Sequence, residues 1–236
     1  MKILTVADAE ERCLWDYYDA ERFADIDLIL SAGDLDANYL EFLVTVTNKP
    51  LLYVRGNHDD SYARRSLGGC ICVEDSVYVW CGLRIAGLGG SMRYRDGLNM
   101  FTEREMARRV RRIEPKIRLA GGVDILLTHA PIFGVGDLDD LPHRGFECLG
   151  TLVERWTPGY MVHGHIHQGY SPRFERVREL PCDTQVVNAC GYHIIELDES
   201  RYAERGGWRA TLLNADTMRT DRAQQPNAAY FDSSCL

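Results

Sequence analysis

The chain predicts an α/β fold on three observations. Short apolar runs rich in branched residues end at Gly, Asp or Asn, helical stretches separate the first of them, and each run delivers a polar motif past its carboxyl end. The motifs are Asp8-Ala9-Glu10, Gly33-Asp34, Gly56-Asn57-His58-Asp59, Thr128-His129 and Gly164-His165-Ile166-His167. Strands that share a sheet bring such residues to one edge, the place where open α/β sheets bind ligands. No Ser-, Gly- or Pro-rich linker divides the 236 residues, which predicts a single domain over 1–213 with a polar tail over 214–236.

Residues 3–6 form the first strand, and 11–23, mixed polar and aromatic, a short helix or surface loop. A strand over 25–30 delivers Gly33-Asp34, after which 38–47 suits a helix that Asn48-Lys49-Pro50 terminates. The third strand, 51–54, delivers Gly56-Asn57-His58-Asp59; the alternation implies right-handed crossovers. Between 70 and 90 the pattern changes to short strands over 71–74, 76–80 and 83–88, with Cys81-Gly82 as a hairpin turn.

Thr102-Glu103-Arg104-Glu105 matches a capping box and opens a helix to about Leu119, which Pro115 should kink or end early. Arg108, Arg109, Arg111 and Arg112 read as its solvated face. The strand over 123–128 carries His129, and the Gly-, Pro- and Asp-rich loop 131–145 is a candidate rim or lid. A helix over 146–156 leads to the strand that bears His165 and His167. Segments 173–180, 185–189, 193–197 and 208–213 read as antiparallel strands of a second sheet, and the chain from Asn214 as a loosely attached tail.

Composition narrows the function. No stretch approaches the roughly 18 to 20 apolar residues of a membrane span, and the opening residues run straight into a strand, so a cytoplasmic location is the expectation. Cys13, Cys70, Cys72, Cys81, Cys148, Cys182, Cys190 and Cys235 make no Cys-x-x-Cys pair and read as reduced, mostly buried thiols. A formal charge of −8 argues against bulk affinity for nucleic acid. Nearly all the cations are Arg, since only Lys2, Lys49 and Lys116 are lysines.

Divalent ions that activate water are held by carboxylates, imidazoles and sometimes an amide oxygen, with positions left open for water and substrate. Asp8, Asp34, Asn57, His129, His165 and His167 provide that mixture. Two ions roughly 3.5 to 4 Å apart can share a carboxylate and clamp an in-line displacement at phosphorus. A lone buried His is usually a core residue and a lone Gly-Asp usually a turn, but the set together is neither. His163 reads as structural or supporting, and His143 and His193 as structural or surface residues.

In the order Asp-x-Glu, Gly-Asp, Gly-Asn-His-Asp, Thr-His, Gly-His-x-His, the chain resembles the calcineurin-like metallophosphoesterase family over about residues 1 to 200. The resemblance implies a two-sheet sandwich flanked by helices, an αββα arrangement, with two divalent ions at the strand ends. It implies that Asp34 bridges the ions, that Asp8 and His167 hold the first, and that Asn57, His129 and His165 hold the second. His58 would act as general acid or electrostatic stabiliser at the leaving group, with Asp59 partnering its imidazole. A bridging hydroxide would be the nucleophile.

The departure is Glu10, where most of the family has histidine. Residues two apart in an extended segment face the same way, so Glu10 is a candidate ligand of the first ion. Three carboxylates bring the formal site charge to about zero rather than about +1, which favours Mn²⁺ or Mg²⁺ over Zn²⁺, with Fe²⁺ a further candidate. Arg93, Tyr94 and Arg95, after Gly89-Gly90, are candidates to grip a phosphate and stack on a base or sugar.

The sequence thus predicts a dinuclear phosphoesterase acting on a phosphomonoester or small phosphodiester, with no membrane partner and no assigned oligomeric state. A nuclease or cyclic-nucleotide phosphodiesterase would use the same chemistry. A binding scaffold, like the retromer subunit that resembles this family, would keep the fold and lose the ligands.

Overall fold

A computed structural model describes residues 1–170, 172, 174–198, 200, 202 and 207–224. The chain opens with β1 (Lys2–Ala7) and β2 (Leu28–Ser31), crosses through α1 (Ala37–Thr47) to β3 (Leu51–Tyr53), and continues into β4 (Cys70–Cys72). A hairpin of β5 (Ser76–Trp80) and β6 (Leu83–Leu88) is followed by the short pair β7 (Ser91–Met92) and β8 (Met100–Phe101), then α2 (Glu103–Ala120). Next come β9 (Ile125–Thr128), α3 (Glu147–Trp156), β10 (Tyr160–His163), β11 (Val177–Glu179), β12 (Gln185–Asn188), β13 (Gly191–Glu196) and α4 (Trp208–Gln224).

Among the described residues the strands form two large sheets and one small pair. The first runs β13-β1-β2-β3-β4, the second β11-β12-β10-β9-β6-β5, and β7 pairs with β8. β1 to β4 are mutually parallel, as are β6, β9, β10 and β12. Strands covered on both faces can be apolar at every position. Ile3, Leu28, Leu30, Leu52 and Val54 of the first sheet therefore meet Ile85, Ile125, Leu127, Val162 and Val187 of the second in a central core. Their neighbours in sequence point outward, where Leu4, Ile29 and Leu51 pack under α1, and Leu88, Leu126 and Met161 under α2 and α3. Each fully buried aliphatic side chain contributes about 1.5–3 kcal/mol. The layering is the expected αββα sandwich.

Helix ends follow the sequence signals. Asp36 caps α1 by accepting the Asn38 amide at 2.7 Å, and Asn48 ends it in the left-handed region at φ 51°. Thr102 and Glu105 form the reciprocal capping box of α2. Cys81 and Gly82 turn the hairpin with φ 46° and 81°.

Four expectations fail. Pro115 does not end α2 early, because it lies on the exposed face next to exposed Arg111, the residue whose carbonyl loses its helical donor, while Met106, Val110, Ile113 and Ile117 stay buried on the opposite side. Arg109 is not on the solvated face: it shares the buried stripe, donating from Nε to Asp75 at 2.8 Å and from its guanidinium to the Gly89 carbonyl at 2.6 Å, over the Phe101 ring. The second-sheet strands are not all antiparallel. β12 runs parallel to β10, β13 joins β1 in the first sheet, and Arg173 lies outside the described residues.

The fourth failure concerns the carboxyl-terminal segment, where 208–213 opens α4 and the expected boundary at 213/214 falls inside that helix. Leu213, Thr217 and Asp221, four residues apart, are buried. The Asn214 carboxamide accepts from the Val79 amide at 2.7 Å and donates to the Val79 carbonyl at 2.8 Å, while the Thr217 hydroxyl donates to the Val77 carbonyl at 3.2 Å. Polar side chains hold this helix to β5, which is why its composition reads as a tail. Residues 225–236 lie outside the described residues. No described helix is long and apolar enough to cross a membrane.

Candidate metal centre

Parallel strands of both sheets end side by side, and the motifs follow them. β1 leads to Asp8, β2 to Gly33-Asp34, β3 to Asn57, β9 to His129 and β10 to His165. Backbone bonds link the turns: the Asp8 amide donates to the Gly33 carbonyl at 3.1 Å and the Gly164 amide to the His129 carbonyl at 3.0 Å. The packing is close enough that a Cβ on Gly164 would come within 2.6 Å of Asp8 Oδ2, and one on Gly56 would strike the Asp34 carboxylate. Asp8, Asp34 and His165 take φ of 61°, 56° and 69°, left-handed conformations that Asp tolerates better than most residues.

At the centre lies His129, fully buried. Its Nδ1 donates to the Ala32 carbonyl at 2.7 Å, which leaves Nε2 facing Asn57 Oδ1 at 3.0 Å and Asp34 Oδ2 at 3.4 Å. In a neutral ring so held, Nε2 carries a lone pair, and three acceptor atoms converge on one point. A cation satisfies that arrangement, either a proton on Nε2 or a metal ion. Burial pushes the His129 imidazole down, but the Asp34 carboxylate outweighs it and lifts the ring to about 9. Burial likewise pushes Asp34 up, yet His129 and the His58 amide bring it to about 2.

His165 sits beside His129 with ring centroids 4.9 Å apart. Its Nε2 donates to the Pro142 carbonyl at 2.7 Å, turning Nδ1 free as a ligand atom, and burial holds the ring neutral at about 3. Ligand atoms of Asp34, His129 and His165 lie within 4.8 Å of one another. Asp8 adds a second carboxylate, whose oxygens accept the His165 amide at 2.9 Å. Burial pushes Asp8 up to about 7, and the Asp34 charge adds to it. Buried carboxylates gathered around imidazoles, with a metal ion taking the place of the His129 Nε2 proton, are the donor chemistry that divalent ions take. His167, half-buried, stands at the opening of the cluster with its ring stacked on Tyr170.

Two expectations about the site are corrected. Asp59 does not orient the His58 imidazole: its Oδ2 accepts the Gly56 amide at 2.7 Å and the Asp34 amide at 2.9 Å, binding the β2 and β3 turns together. Burial and the Asp34 charge push this carboxyl up to about 7. His58 is exposed, with its amide donating to Asp34 Oδ1 at 2.7 Å. The premise for Glu10 fails because the segment is not extended; the chain turns at Asp8, the Ala9 amide donates back to the Ala7 carbonyl at 2.6 Å, and Glu10 is exposed outside the cluster.

Arg93 is already engaged. Its guanidinium pairs with Glu105 at 2.9 Å and donates to the Met100 carbonyl at 3.1 Å, clamping its loop to the start of α2. Arg95 lies over the Tyr94 ring, and neither makes a bond to the cluster. The loop 131–145 does form a rim. Asp137 accepts the amides of Gly134 at 2.9 Å and Gly145 at 3.0 Å, and the turn Leu141–His143 brings the Pro142 carbonyl to His165. His163 is buried, donating from Nδ1 to the Gly164 carbonyl at 2.8 Å, a supporting position as expected.

Sequence reasoning missed His143 and Tyr170. The His143 ring lies 5.4 Å from that of His165 and 4.8 Å from that of Tyr170. No motif flags His143, but Tyr170 carries a readable signal: it follows His167 by three residues in a 3₁₀ turn, Gln168–Tyr170, and that spacing stacks side chains.

By fold and by donor set, this is a protein of the metallophosphoesterase class. The chain belongs to the calcineurin-like phosphoesterase superfamily, whose sequence model matches residues 1–193. It is 32% identical over 120 residues to UPF0046 protein T07D4.2 of Caenorhabditis elegans, covering 48% of this chain and 29% of that one. It is 34% identical over 110 residues to human metallophosphoesterase domain-containing protein 1, covering 44% and 31%. The match thus spans less than a third of either relative. The crystal structure of TT1561 of Thermus thermophilus shares the fold, with a TM-score of 0.56 at 16% identity over 80% of this chain and 88% of that one.

Proposed function

We propose that this chain is a dinuclear metal-dependent phosphoesterase that hydrolyses a phosphomonoester or a small phosphodiester. The observation that carries the reading is the convergence of Asp34 Oδ2, Asn57 Oδ1 and His129 Nε2, three acceptors with no donor among them once His129 is neutral. Asp34 would be shared between two ions, with Asn57, His129 and His165 on one side and Asp8 and His167 on the other. Bound ions supply an acidified water as nucleophile and draw charge from the phosphoryl oxygens. The remaining work falls to the chain. Asp59 fixes the turn that aims Asp34, the Ala32 and Pro142 carbonyls set the His129 and His165 tautomers, and exposed His58 would give a proton to the departing oxygen.

With Glu10 outside the cluster, imidazoles make up half of the six donors. Zn²⁺ and Fe²⁺ then suit the site as well as Mn²⁺ or Mg²⁺. The test is hydrolysis of para-nitrophenyl phosphate and bis-para-nitrophenyl phosphate by metal-stripped protein re-supplied with each ion. Asp34→Asn should lose both metal and turnover, while His58→Ala should keep its metal and lose roughly 10²–10⁴-fold in kcat. Equal metal loss in both variants would refute the separate roles, and failure of the wild type to bind any ion would leave a scaffold.

A further inference from the structure

Five rings form an arc that leads out of the metal centre. His129 and His165 lie 4.9 Å apart between centroids, His165 and His143 5.4 Å, His143 and Tyr170 4.8 Å, and Tyr170 and His167 4.7 Å. Exposure rises along it, from 0% at His129 and 6% at His165 to 50% at Tyr170. The cluster donors occupy the deep part of the arc and His167 its other end, while His143 and Tyr170 have no place in the donor set.

The outer rings are held rigidly. His143 donates from Nδ1 to Asp140 at 2.7 Å, and Tyr170 rests one face on His167 at an interplanar angle of 29°, touches His143 edge-on at 62°, and stays half exposed. Leu141, in the turn that carries His143, is 53% exposed. A half-exposed aromatic ring fixed in place one ring spacing from a metal donor is a preorganised apolar surface in a site that otherwise presents charge.

We propose that Tyr170 is a specificity-determining residue: its ring is the platform on which a planar aromatic group of the substrate stacks while the phosphoryl group sits at the metal centre. The inference rests on the phosphoesterase reading above. The substrate class is then an ester whose leaving group carries an aromatic ring or a nucleobase. The phenol hydroxyl is not required, because stacking uses the face of the ring.

The test compares full-length, metal-loaded wild type with Tyr170→Phe and Tyr170→Leu. Calorimetry measures binding of phenylphosphonate and methylphosphonate, and kinetics follow phenyl phosphate and ethyl phosphate. Wild type should bind the phenyl compound about tenfold more tightly than the methyl one, Tyr170→Phe should keep that preference, and Tyr170→Leu should abolish it with metal content and methylphosphonate affinity unchanged. A wild type without preference would overturn the proposal. So would equal weakening of both ligands with loss of metal, which makes Tyr170 a prop for His167, or a Phe variant as impaired as the Leu variant. If no ester turns over, the phosphoesterase reading fails by itself; the phosphonate comparison still decides the role of the ring.

Discussion

Asp59 Oδ2 lies between two turns, accepting one amide from each, and so serves the backbone rather than the neighbouring His58 imidazole that the motif assigns to it. Asp59→Ala strands the Gly56 and Asp34 amides, at a cost of about 1–3 kcal/mol each in a buried setting. The melting temperature should fall by several degrees, and the Asp34 turn, freed from β3, should bind metal more weakly in a calorimetric titration. Glu10→Gln should leave metal affinity and ion preference where they were; a changed order of ions would return Glu10 to the donor set. Asp8, Asp34, Asn57, His129 and His165 are legible in the sequence because each follows a strand end, which position along the chain reveals. Glu10 misleads because the left-handed turn at Asp8 breaks the two-residue period on which the inference depends. His143 reaches the site only through the path of the 131–145 loop, and no local pattern encodes that path.

Helix α2 shows where propensity yields to packing. Proline costs roughly 3 kcal/mol relative to alanine inside a helix, yet four apolar side chains on the buried stripe carry α2 through Pro115. Pro115→Ala restores a donor to the Arg111 carbonyl on an exposed face, and should raise stability by about 1–3 kcal/mol, seen as a higher denaturant midpoint. An unchanged or lower midpoint would mean that proline relieves strain in this helix. Capping signals at Asp36, Thr102 and Asn48 are readable because they act within one turn. Strand direction is not, since whether β12 pairs parallel with β10 depends on a crossover that local alternation does not record.

Across the whole molecule, the two faces of the sandwich differ in how they are covered. α1 seals the first sheet through apolar contacts, whereas the second sheet depends on α2, α3 and the partly polar α4. The two-sheet layering and the place of the site are readable from motifs at strand ends; α4 is not, because Asn214 and Thr217 look solvent-loving until their backbone partners on β5 are known. Truncation after Leu213 removes those bonds and the Lys116–Asp216 ion pair at 2.9 Å. The shortened chain should lose a few kcal/mol in urea unfolding while retaining metal binding, since no residue of α4 belongs to the cluster.

β5 is the last strand of its sheet, and the Asn214 carboxamide meets the Val79 amide and carbonyl as an adjoining strand would. An uncovered strand of this kind is a template on which a second molecule can lay its own backbone. The Asn214 carboxamide is therefore a guard against self-association as well as a packing contact. Asn214→Ala, which removes the guard and leaves the helix, should make the protein drift toward dimers and larger species with concentration.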